Sequence, residues 1–350
     1  MAILTSRRVL AEFSSSAMQA HLFLCVVVFL LMPPLAASAR EEPTVVKIGV
    51  KLEQIVDINQ KAENFQAVYT LQLHYREPKL AFEAVPGEPA FKMMTLPGFL
   101  AKLQEAGAIW PDIVLANNQG FRQVNLESVQ VYPDGEVHVY ERATATFQAP
   151  NFDFRAFPFD SQTFYIQVVS LAPKSIFLFE PLPEATGVAD HLGEHEWVLV
   201  NHSSEIDTTI GLAEHRHSRF SLIFEAHRHV LYYVVRIFMP MLIILMVSWL
   251  TFRGRDYVKR VDLGITVLLL LIAFSFTLGS DIPRLGYLTF IDVFIAATFI
   301  ITAAVIIVNI QLRVYELQNR DADAARLDRI AMWGYWPAYV LGMSTALMLI

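Results

Sequence analysis

The stretch "VKRVDLGITVLLLLIAFSFTLGSD" (258–281) decides the fold, because most of it carries no charge and consists of large apolar side chains. A helix of this length crosses the hydrocarbon core of a bilayer. Asp262 stands at its entrance, directly after the basic pair Lys259 and Arg260 and one further residue. The sequence therefore predicts a membrane helix that carries a carboxylate at its first turn.

Three further apolar runs accompany this one, so that the four lie near 231–252, 262–280, 287–312 and 329–350. Hydrophobic residues make up 54% of the 350-residue chain, which is more than a soluble domain needs. The formal net charge of -7 excludes a nucleic-acid-binding protein, because such a protein needs a basic face. We therefore expect a four-helix transmembrane domain over 231–350.

Basic residues fix the expected direction of these helices. The loops after the first and third helices contain Arg253, Arg255, Lys259, Arg260, Arg313, Arg320, Arg326 and Arg329. Basic loops remain on the cytoplasmic side of a membrane. The part of the chain before the helices is therefore expected outside the cell or in the periplasm.

Residues 40–230 show the period of strands instead. Apolar and polar side chains alternate in "AVYTLQLHY" (67–75), "VQVYPDGEVHVYERATATF" (129–147), "TFYIQVV" (163–169) and "RFSLIFEA" (219–226). The tripeptide "PDG" (133–135) predicts a hairpin turn, and only 95–107 has a helical pattern. We predict an immunoglobulin-like β-sandwich of about ten strands as the extracellular ligand-binding domain.

Residues 1–39 have the pattern of a secretory signal peptide: Arg7 and Arg8, then the apolar "HLFLCVVVFLLMPPLA" and the small residues 37–39. The alternative is a membrane anchor that is not cleaved. Cys25, the single cysteine, lies in this segment, so the exported chain is expected to contain no disulfide.

On a wheel of about 100° per residue, six residues of the second helix share one stripe within roughly 80°. They are Asp262, Thr266, Leu269, Ala273, Phe276 and Ser280. We expect Leu263, Val267, Leu270 and Phe274 to pack on neighbouring helices. Several copies of the stripe around an axis would enclose a pore, with Asp262 forming a ring. The alternative is that Asp262 only caps its helix.

No sequence motif of an enzyme appears, so neither catalysis nor a cofactor is expected. Two histidine pairs, His191 with His195 and His215 with His217, are weak metal candidates, and solvated loop histidines explain them better. The sequence therefore predicts no metal site.

The segment "NFDFRAFPFDSQTF" (151–164) resembles the signature loop of the pentameric ligand-gated ion channels, the Cys-loop receptor superfamily. Pro150 and Phe164 stand where animal receptors have the two cysteines, as in bacterial members that lack the disulfide. Further similarity lies in "IWPDIVLANN" (109–118), in Pro240 and in "DIPRLGYLTFID" (281–292).

The resemblance implies a homopentamer in the plasma (inner) membrane, in contact with lipid, with the second helix of each subunit lining a pore. Asp262 would then select monovalent cations, while Leu269 and Phe276 would form the gate. The alternative is a membrane sensor or ligand-binding protein of the same architecture that does not conduct.

The resemblance also implies how the two halves communicate. Asp160 and Arg228 would form a linking ion pair, and an acid from the loop containing Asp57 would join it. The loop at Pro283, after the pore helix, would receive the movement.

The stimulus is left open between a proton and a small organic ligand. Ala116 and Leu171 replace the aromatic residues with which animal receptors hold quaternary ammonium agonists, so such an agonist is not expected. A small amine or a carboxylate at the subunit interface is compatible with them. The proton candidates are His215, His217, His227 and His229.

Overall fold

The computed structural model describes residues 42–84, 87, 89–190, 192–193, 197–211, 214–278 and 285–348. The predicted signal peptide lies outside the described residues, as do Ser280, Pro283, His191 and His195. The described chain is mostly strands as far as Arg228, with one short α-helix among them, and is helical from Val230 onward.

Eleven strands occur in the described part of the first half, close to the predicted ten. They are β1 (Thr44–Asn59), β2 (Asn64–Arg76), β3 (Lys92–Met94), β4 (Ile113–Leu115), β5 (Gln123–Val131), β6 (Glu136–Gln148), β7 (Ser161–Ser170), β8 (Phe177–Pro181), β9 (Gly187–Val188), β10 (Trp197–Ile210) and β11 (Arg216–Arg228).

The strands form two sheets, which confirms the predicted β-sandwich. One sheet has the order β3-β5-β6-β2-β1-β8 with β9 beside β1, and the other has the order β10-β11-β7-β4. Alternate residues of both sheets point into a shared core. At its centre Phe65 contacts Phe147, Phe164 and Phe224 with ring centroids 5.2–5.5 Å apart. Core packing replaces a disulfide here.

The predicted hairpin turn joins β5 to β6. Gly135 has a φ of +83°, and a Cβ at this position would lie 2.6 Å from the Glu77 carbonyl oxygen, so only glycine fits. The predicted short helix is α1 (Leu96–Ala106), which ends at Gly107 in the left-handed conformation.

The second half contains α2 (Val230–Arg253), α3 (Tyr257–Leu278), α4 (Phe290–Leu317) and α5 (Asp321–Leu347). The predicted starts of two helices are wrong: α3 begins five residues earlier and α5 eight residues earlier than the apolar runs indicated. Charged residues fill these first turns, since a helix can extend beyond the apolar part of its sequence.

Among the described residues, α2, α3 and α4 are long and apolar enough to cross a membrane, by length and composition. α5 has 27 residues, about 40 Å of helix, but it includes Trp333, Trp336 and Pro337 in place of aliphatic side chains. Hydrogen bonds attach it to the bundle: Tyr335 Oη donates to the Leu245 carbonyl at 3.0 Å. A bundle of four helices therefore follows the sandwich, as predicted.

Local sequence explains the shapes of two helices. α2 widens into a π-turn at Val234–Phe238, which ends two residues before Pro240. The missing amide and the bulky ring of that proline disturb the regular helix in the preceding turn. α4 begins with a capping box, in which the Asp292 amide donates to Thr289 Oγ1 and the Thr289 amide donates to Asp292 Oδ2.

Candidate functional site

The predicted stripe of α3 is exposed on the subunit. Asp262, Thr266 and Ala273 are exposed, and so are Leu269 and Phe276, at 59% and 78%. Thr266 Oγ1 donates to the Asp262 carbonyl at 2.9 Å, which leaves the hydroxyl oxygen free to accept from outside the helix. The five described members of the stripe therefore form one open surface.

The opposite face of α3 is the one that packs inside the subunit. Its buried residues are Arg260, Gly264, Val267, Leu271 and Leu278. On the wheel they occupy an arc of about 60° whose centre lies opposite the stripe. Gly264 allows close approach to α4, because a Cβ there would lie 2.8 Å from Ile306 Cγ1.

Two residues expected to pack behave differently. Val267 is buried and Phe274 packs against the cluster at the top of the bundle, as expected, but Leu263 and Leu270 are 52% and 56% exposed. They lie about 100° to one side of the stripe, between the open and the buried face. The described helices of one subunit leave that side open, so the packing of Leu263 and Leu270 on neighbouring helices stays a prediction for the assembled protein.

Asp262 does not cap its helix. α3 begins at Tyr257, and the amide of Val258 donates to Asp256 Oδ1 at 3.0 Å. Asp256 therefore caps the first turn, whereas Asp262 lies one turn further along with an exposed side chain. The interpretation of Asp262 as a cap is wrong.

Arg260 points away from the stripe and is neutralised. Its Nη1 donates to Asp328 Oδ1 of α5 at 2.6 Å, and its Nε donates to the Gly254 carbonyl at 2.7 Å. Lys259 is exposed, with Asp256 at 4.0 Å, and lies about 60° from Asp262 on the wheel. The positive charge of Arg260 therefore lies on the far side of the helix from the stripe. Lys259, which is only weakly paired, remains at the edge of the stripe.

The signature segment between β6 and β7 enters the top of the helical bundle. Phe154 and Phe157 are buried with Tyr233 and Ile237 of α2 and Leu278 of α3. These contacts make the segment part of the same apolar cluster as the helices.

Backbone hydrogen bonds fix the same junction. The Phe154 amide donates to Tyr287 Oη at 3.0 Å, and the Phe290 amide at the start of α4 donates to the Arg155 carbonyl at 2.8 Å. The Arg155 guanidinium lies over the Tyr287 ring at 4.9 Å. The segment therefore holds the loop that follows α3 as well as α2.

Asp160 and Arg228 form an ion pair at this junction. Arg228 Nε donates to Asp160 Oδ1 at 2.9 Å, and the two side chains are 0% and 2% exposed. Arg228 also contacts the Trp197 ring at 4.1 Å and the Phe157 ring at 4.8 Å. Breaking so buried an ion pair by removing one member is strongly destabilising.

The sequence did not indicate the residues that complete this pair. Gln162 Nε2 donates to Asp160 Oδ2 at 2.6 Å, and Arg228 Nη1 donates to Tyr233 Oη at 3.3 Å. Gln162 follows Asp160 by two residues and thus shares its face of the strand, which is a signal that sequence does contain. Trp197 comes from a distant strand and gives no such signal.

Asp57 is not part of this cluster. It lies in β1, opposite Gln66 of β2, with an exposed side chain. Among the described residues it forms no ion pair. Its expected place beside Asp160 and Arg228 is therefore wrong, because the strand continues past Asp57 to Asn59.

The stimulus candidates divide into buried and exposed groups. His217 is buried, and its Nδ1 lies 3.0 Å from the Ser170 carbonyl oxygen and 3.1 Å from that of Ala172, the two neighbours of Leu171. His215, His227 and His229 are exposed. The prediction that His217 is a solvated loop histidine is therefore wrong. Its ring connects β11 to the end of β7.

Ala116 lies apart from this connection. Its amide donates to the Gln167 carbonyl, whereas Leu171 lies beside Asp112, at the other end of β4. Both side chains are exposed. The edge of the four-stranded sheet thus carries no aromatic ring at either position.

One acidic pair in the β domain was not predicted as a proton site. Glu127 of β5 lies directly opposite Glu141 of β6, which is buried and paired with Arg122 at 3.2 Å. Burial, and then the charge of Glu141, raise the pKa of Glu127 above its ordinary value, while Arg122 opposes the shift. A carboxyl of this kind takes up a proton under milder acid than an isolated glutamate.

Known proteins resemble the chain over most of its length. The family described as neurotransmitter-gated ion-channel ligand binding domain matches residues 31–175. A "Proton-gated ion channel" of Gloeobacter violaceus is 30% identical over 306 residues, 85% of this chain and 81% of that protein.

Vertebrate relatives are more distant. The gamma-aminobutyric acid receptor subunit rho-2 of Homo sapiens is 25% identical over 268 residues, 73% of this chain but 55% of that protein. The rho-3 subunit of Homo sapiens is 24% identical over 263 residues, 72% of this chain and 54% of that protein. All three relatives are ligand-gated channels or their subunits, and none is an enzyme. With its sandwich, its helical bundle and the signature segment between them, the chain belongs to the pentameric ligand-gated ion channels of the Cys-loop receptor superfamily.

Proposed function

We propose that the protein is a homopentameric, cation-selective channel of the plasma (inner) membrane whose α3 helices line the pore. The observation that carries this proposal is the position of the stripe opposite the buried face of α3. A helix packed inside its own subunit by one face presents the other face to a central axis when five subunits assemble. Leu263 and Leu270, exposed at the side of the stripe, supply apolar surface for a neighbouring subunit or lipid.

Asp262 supplies the selectivity in this proposal. Five carboxylates around a narrow lumen attract cations, and low-dielectric walls strengthen the field. Arg260 does not oppose them, since Asp328 neutralises it on the far side of the helix. Lys259 is the nearest opposing charge and has water around it.

Leu269 and Phe276 form the gate above this ring. A ring of large apolar side chains in a narrow pore excludes water and therefore ions. Thr266 gives a hydroxylic level below Leu269, and Ala273 leaves a wider level between the two constrictions. Ser280 would complete the stripe.

The buried pair Asp160–Arg228 transmits the stimulus in this proposal. It connects the β7 and β11 strands, and Tyr233 extends it to α2. The signature segment holds the loop after α3 through Tyr287 and Phe290. A shift of the sandwich is thereby passed to α2 and to the outer end of the pore helix, where Pro283 would receive it.

A proton or a small ligand outside the membrane is the proposed stimulus. The similarity to a protein named as a proton-gated channel supports the proton. Glu127 and the buried His217 are the first groups to test, followed by His215, His227 and His229. For a ligand, the Leu171 edge favours a small amine or carboxylate over a quaternary ammonium ion.

The proposed orientation follows the charges of the loops. Residues 1–39 would direct export, residues 40–230 would lie outside, and residues 231–350 would form the membrane domain. The basic ends of α2, α3 and α4 would then face the cytoplasm. The alternative is a sensor of the same architecture that does not conduct, and a polar stripe facing the axis disfavours it.

Recording from purified protein in planar bilayers tests this proposal. In a tenfold NaCl gradient, the current through a purely cation-selective pore reverses at the equilibrium potential of the cation, about 59 mV for one charge. We call this value the cation limit. Steps between about pH 5 and 9 should change the current if the stimulus is a proton, because imidazole as a chemical group changes its charge near neutral pH. Protein-free bilayers serve as the control. A reversal potential of the opposite sign contradicts cation selectivity, a flat response to pH contradicts the proton, and the lack of current under every condition favours the sensor.

A further inference from the structure

Two histidines from neighbouring strands stack on the outward face of the seven-stranded sheet. His74 of β2 pairs in register with His138 of β6. Their rings are 3.6 Å apart between centroids and nearly parallel, at 7°. The strands are far apart in sequence, so neither residue marks a site by its spacing.

A carboxylate completes the group. Glu136 lies two residues before His138 and on the same face of β6, and its Oε1 is 3.0 Å from His138 Nε2. One ligand atom from each of the three residues lies within 4.8 Å of the others. Two imidazoles and a carboxylate are a ligand set for zinc and related transition metals.

We propose that His74, His138 and Glu136 bind one divalent transition metal ion of the zinc type in each subunit. In a tetrahedral site with metal–ligand bonds of about 2.0–2.1 Å, ligand atoms lie roughly 3.3 Å apart. Rotation of the two half-buried rings out of their parallel stack would direct both lone pairs to one ion, and the remaining coordination position is open to water.

The backbone beneath the site is rigid. β2 and β6 pair without interruption from Asn64 to Arg76, so the Cα positions of the two histidines are fixed. The Tyr132 ring lies against His138 at 4.7 Å between centroids. A metal ion therefore finds its ligands largely in place.

Charged side chains of both signs surround the site. Glu136 and Glu184 add negative charge nearby, whereas Lys47 of β1, which pairs in register with His74, opposes it. Arg76 of β2, which pairs in register with Glu136, adds a second positive charge.

Calorimetric titration of ZnCl2 into the detergent-solubilised full chain, after treatment with a chelator, tests this proposal without any recording of current. We expect one ion per subunit. His74→Gln and His138→Gln should each weaken binding by at least about tenfold. The control is His202→Gln, an exposed histidine of β10, which should bind as the unaltered chain does. Equal binding by all four proteins, or no binding by the unaltered chain, overturns the proposal.

A second variant keeps the test informative if a glutamine disturbs the sheet. His138→Cys preserves a ligand and adds a thiolate. With Co²⁺ it should show a thiolate-to-cobalt absorption band that the unaltered chain lacks, and the band should disappear when His74→Gln is added. A variant that folds and shows no such band contradicts the site.

Discussion

Arg228 and Arg260 each bury a guanidinium group against an aspartate, the first just before the start of α2 and the second in the first turn of α3, the helix that follows α2. The pair of Arg228 with Asp160 is sealed, with side chains 0% and 2% exposed. The pair of Arg260 with Asp328 is partly open, at 6% and 26%. The same chemistry therefore stands in two different environments at the two ends of one helix.

The surroundings show what each pair does. Arg228 lies between two aromatic rings and joins the sandwich to the helices, so its charge has no route to water. Arg260 joins two helix ends beside the basic loop, and water reaches Asp328. The fully buried pair Asp160–Arg228 fixes the junction between the sandwich and the helices. The partly exposed pair Arg260–Asp328 keeps the positive charge of Arg260 away from the stripe of α3. Substitutions at each pair sharpen this difference.

The largest effect is expected from Asp160→Asn. It removes the carboxylate charge that faces the buried Arg228 guanidinium, and breaking a buried ion pair in this way costs about 3–5 kcal/mol of the free energy of unfolding. Thermal unfolding of the purified protein measures it. The control, Asp153→Asn, breaks an exposed pair with Arg155 and should cost less than about 1 kcal/mol. Equal losses from the two variants would mean that the junction pair is not sealed.

A smaller loss is expected from Asp328→Asn, about 1.5–3 kcal/mol, since Arg260 loses a charged acceptor but keeps the Gly254 carbonyl. The freed positive charge should also lower the preference for cations in bilayer recordings. Asp323→Asn, which breaks an exposed pair at the start of α5, serves as the control. Unchanged stability and unchanged selectivity would show that Arg260 does not need its partner.

Leu269→Thr tests whether the exposed stripe of α3 contains the constriction of the pore. A hydroxyl in place of the apolar side chain should wet the constriction and raise the resting current about tenfold, equivalent to ~1.4 kcal/mol. Leu263→Thr changes an apolar residue of similar exposure away from the stripe and should leave the resting current alone. A greater effect at Leu263 would place the pore on another face.

The smallest effect concerns the acid pair of the sandwich. Glu127 has a raised pKa in the folded protein, so its ionisation lowers stability as the pH rises through that pKa. Glu127→Gln should therefore stabilise the protein at pH 7 by up to about 1 kcal/mol. The gain should vanish near pH 4, where the native glutamate is itself protonated.

Thermal unfolding at both pH values measures this gain, with Glu105→Gln on the exposed side of α1 as the control. A gain that is the same at pH 4 and pH 7 would exclude the carboxylate repulsion as its cause.

Regular patterns made much of the molecule predictable. Alternation located most of the long strands, apolar runs located the four helices, and a helical wheel selected Asp262, Leu269 and Phe276 as one face. The start of α3 was missed because the charged residues of "VKR" (258–260) precede the apolar run and were read as a loop. The helix begins before them, and its cap is Asp256. The position of a helix start depends on the capping residue, and the bounds of an apolar run do not reveal that position.

Contacts between distant segments were beyond the sequence. Nothing near Arg260 indicates that Asp328 of another helix neutralises it, and nothing near His74 indicates His138. Such pairs depend on strand register and helix packing, which one sequence without relatives does not specify. Asp160 and Arg228 were found through family resemblance, and the aromatic rings around them were not.

The central claim is that the exposed face of α3 lines a pore in which Asp262 selects cations. The reversal potential of Asp262→Asn in a tenfold NaCl gradient tests it most directly. The control is Asp321→Asn, an exposed carboxylate at the same end of the bundle. We predict that Asp262→Asn moves the reversal potential from near the cation limit of about 59 mV toward zero, while Asp321→Asn leaves it in place. A reversal potential unchanged by Asp262→Asn would contradict the claim.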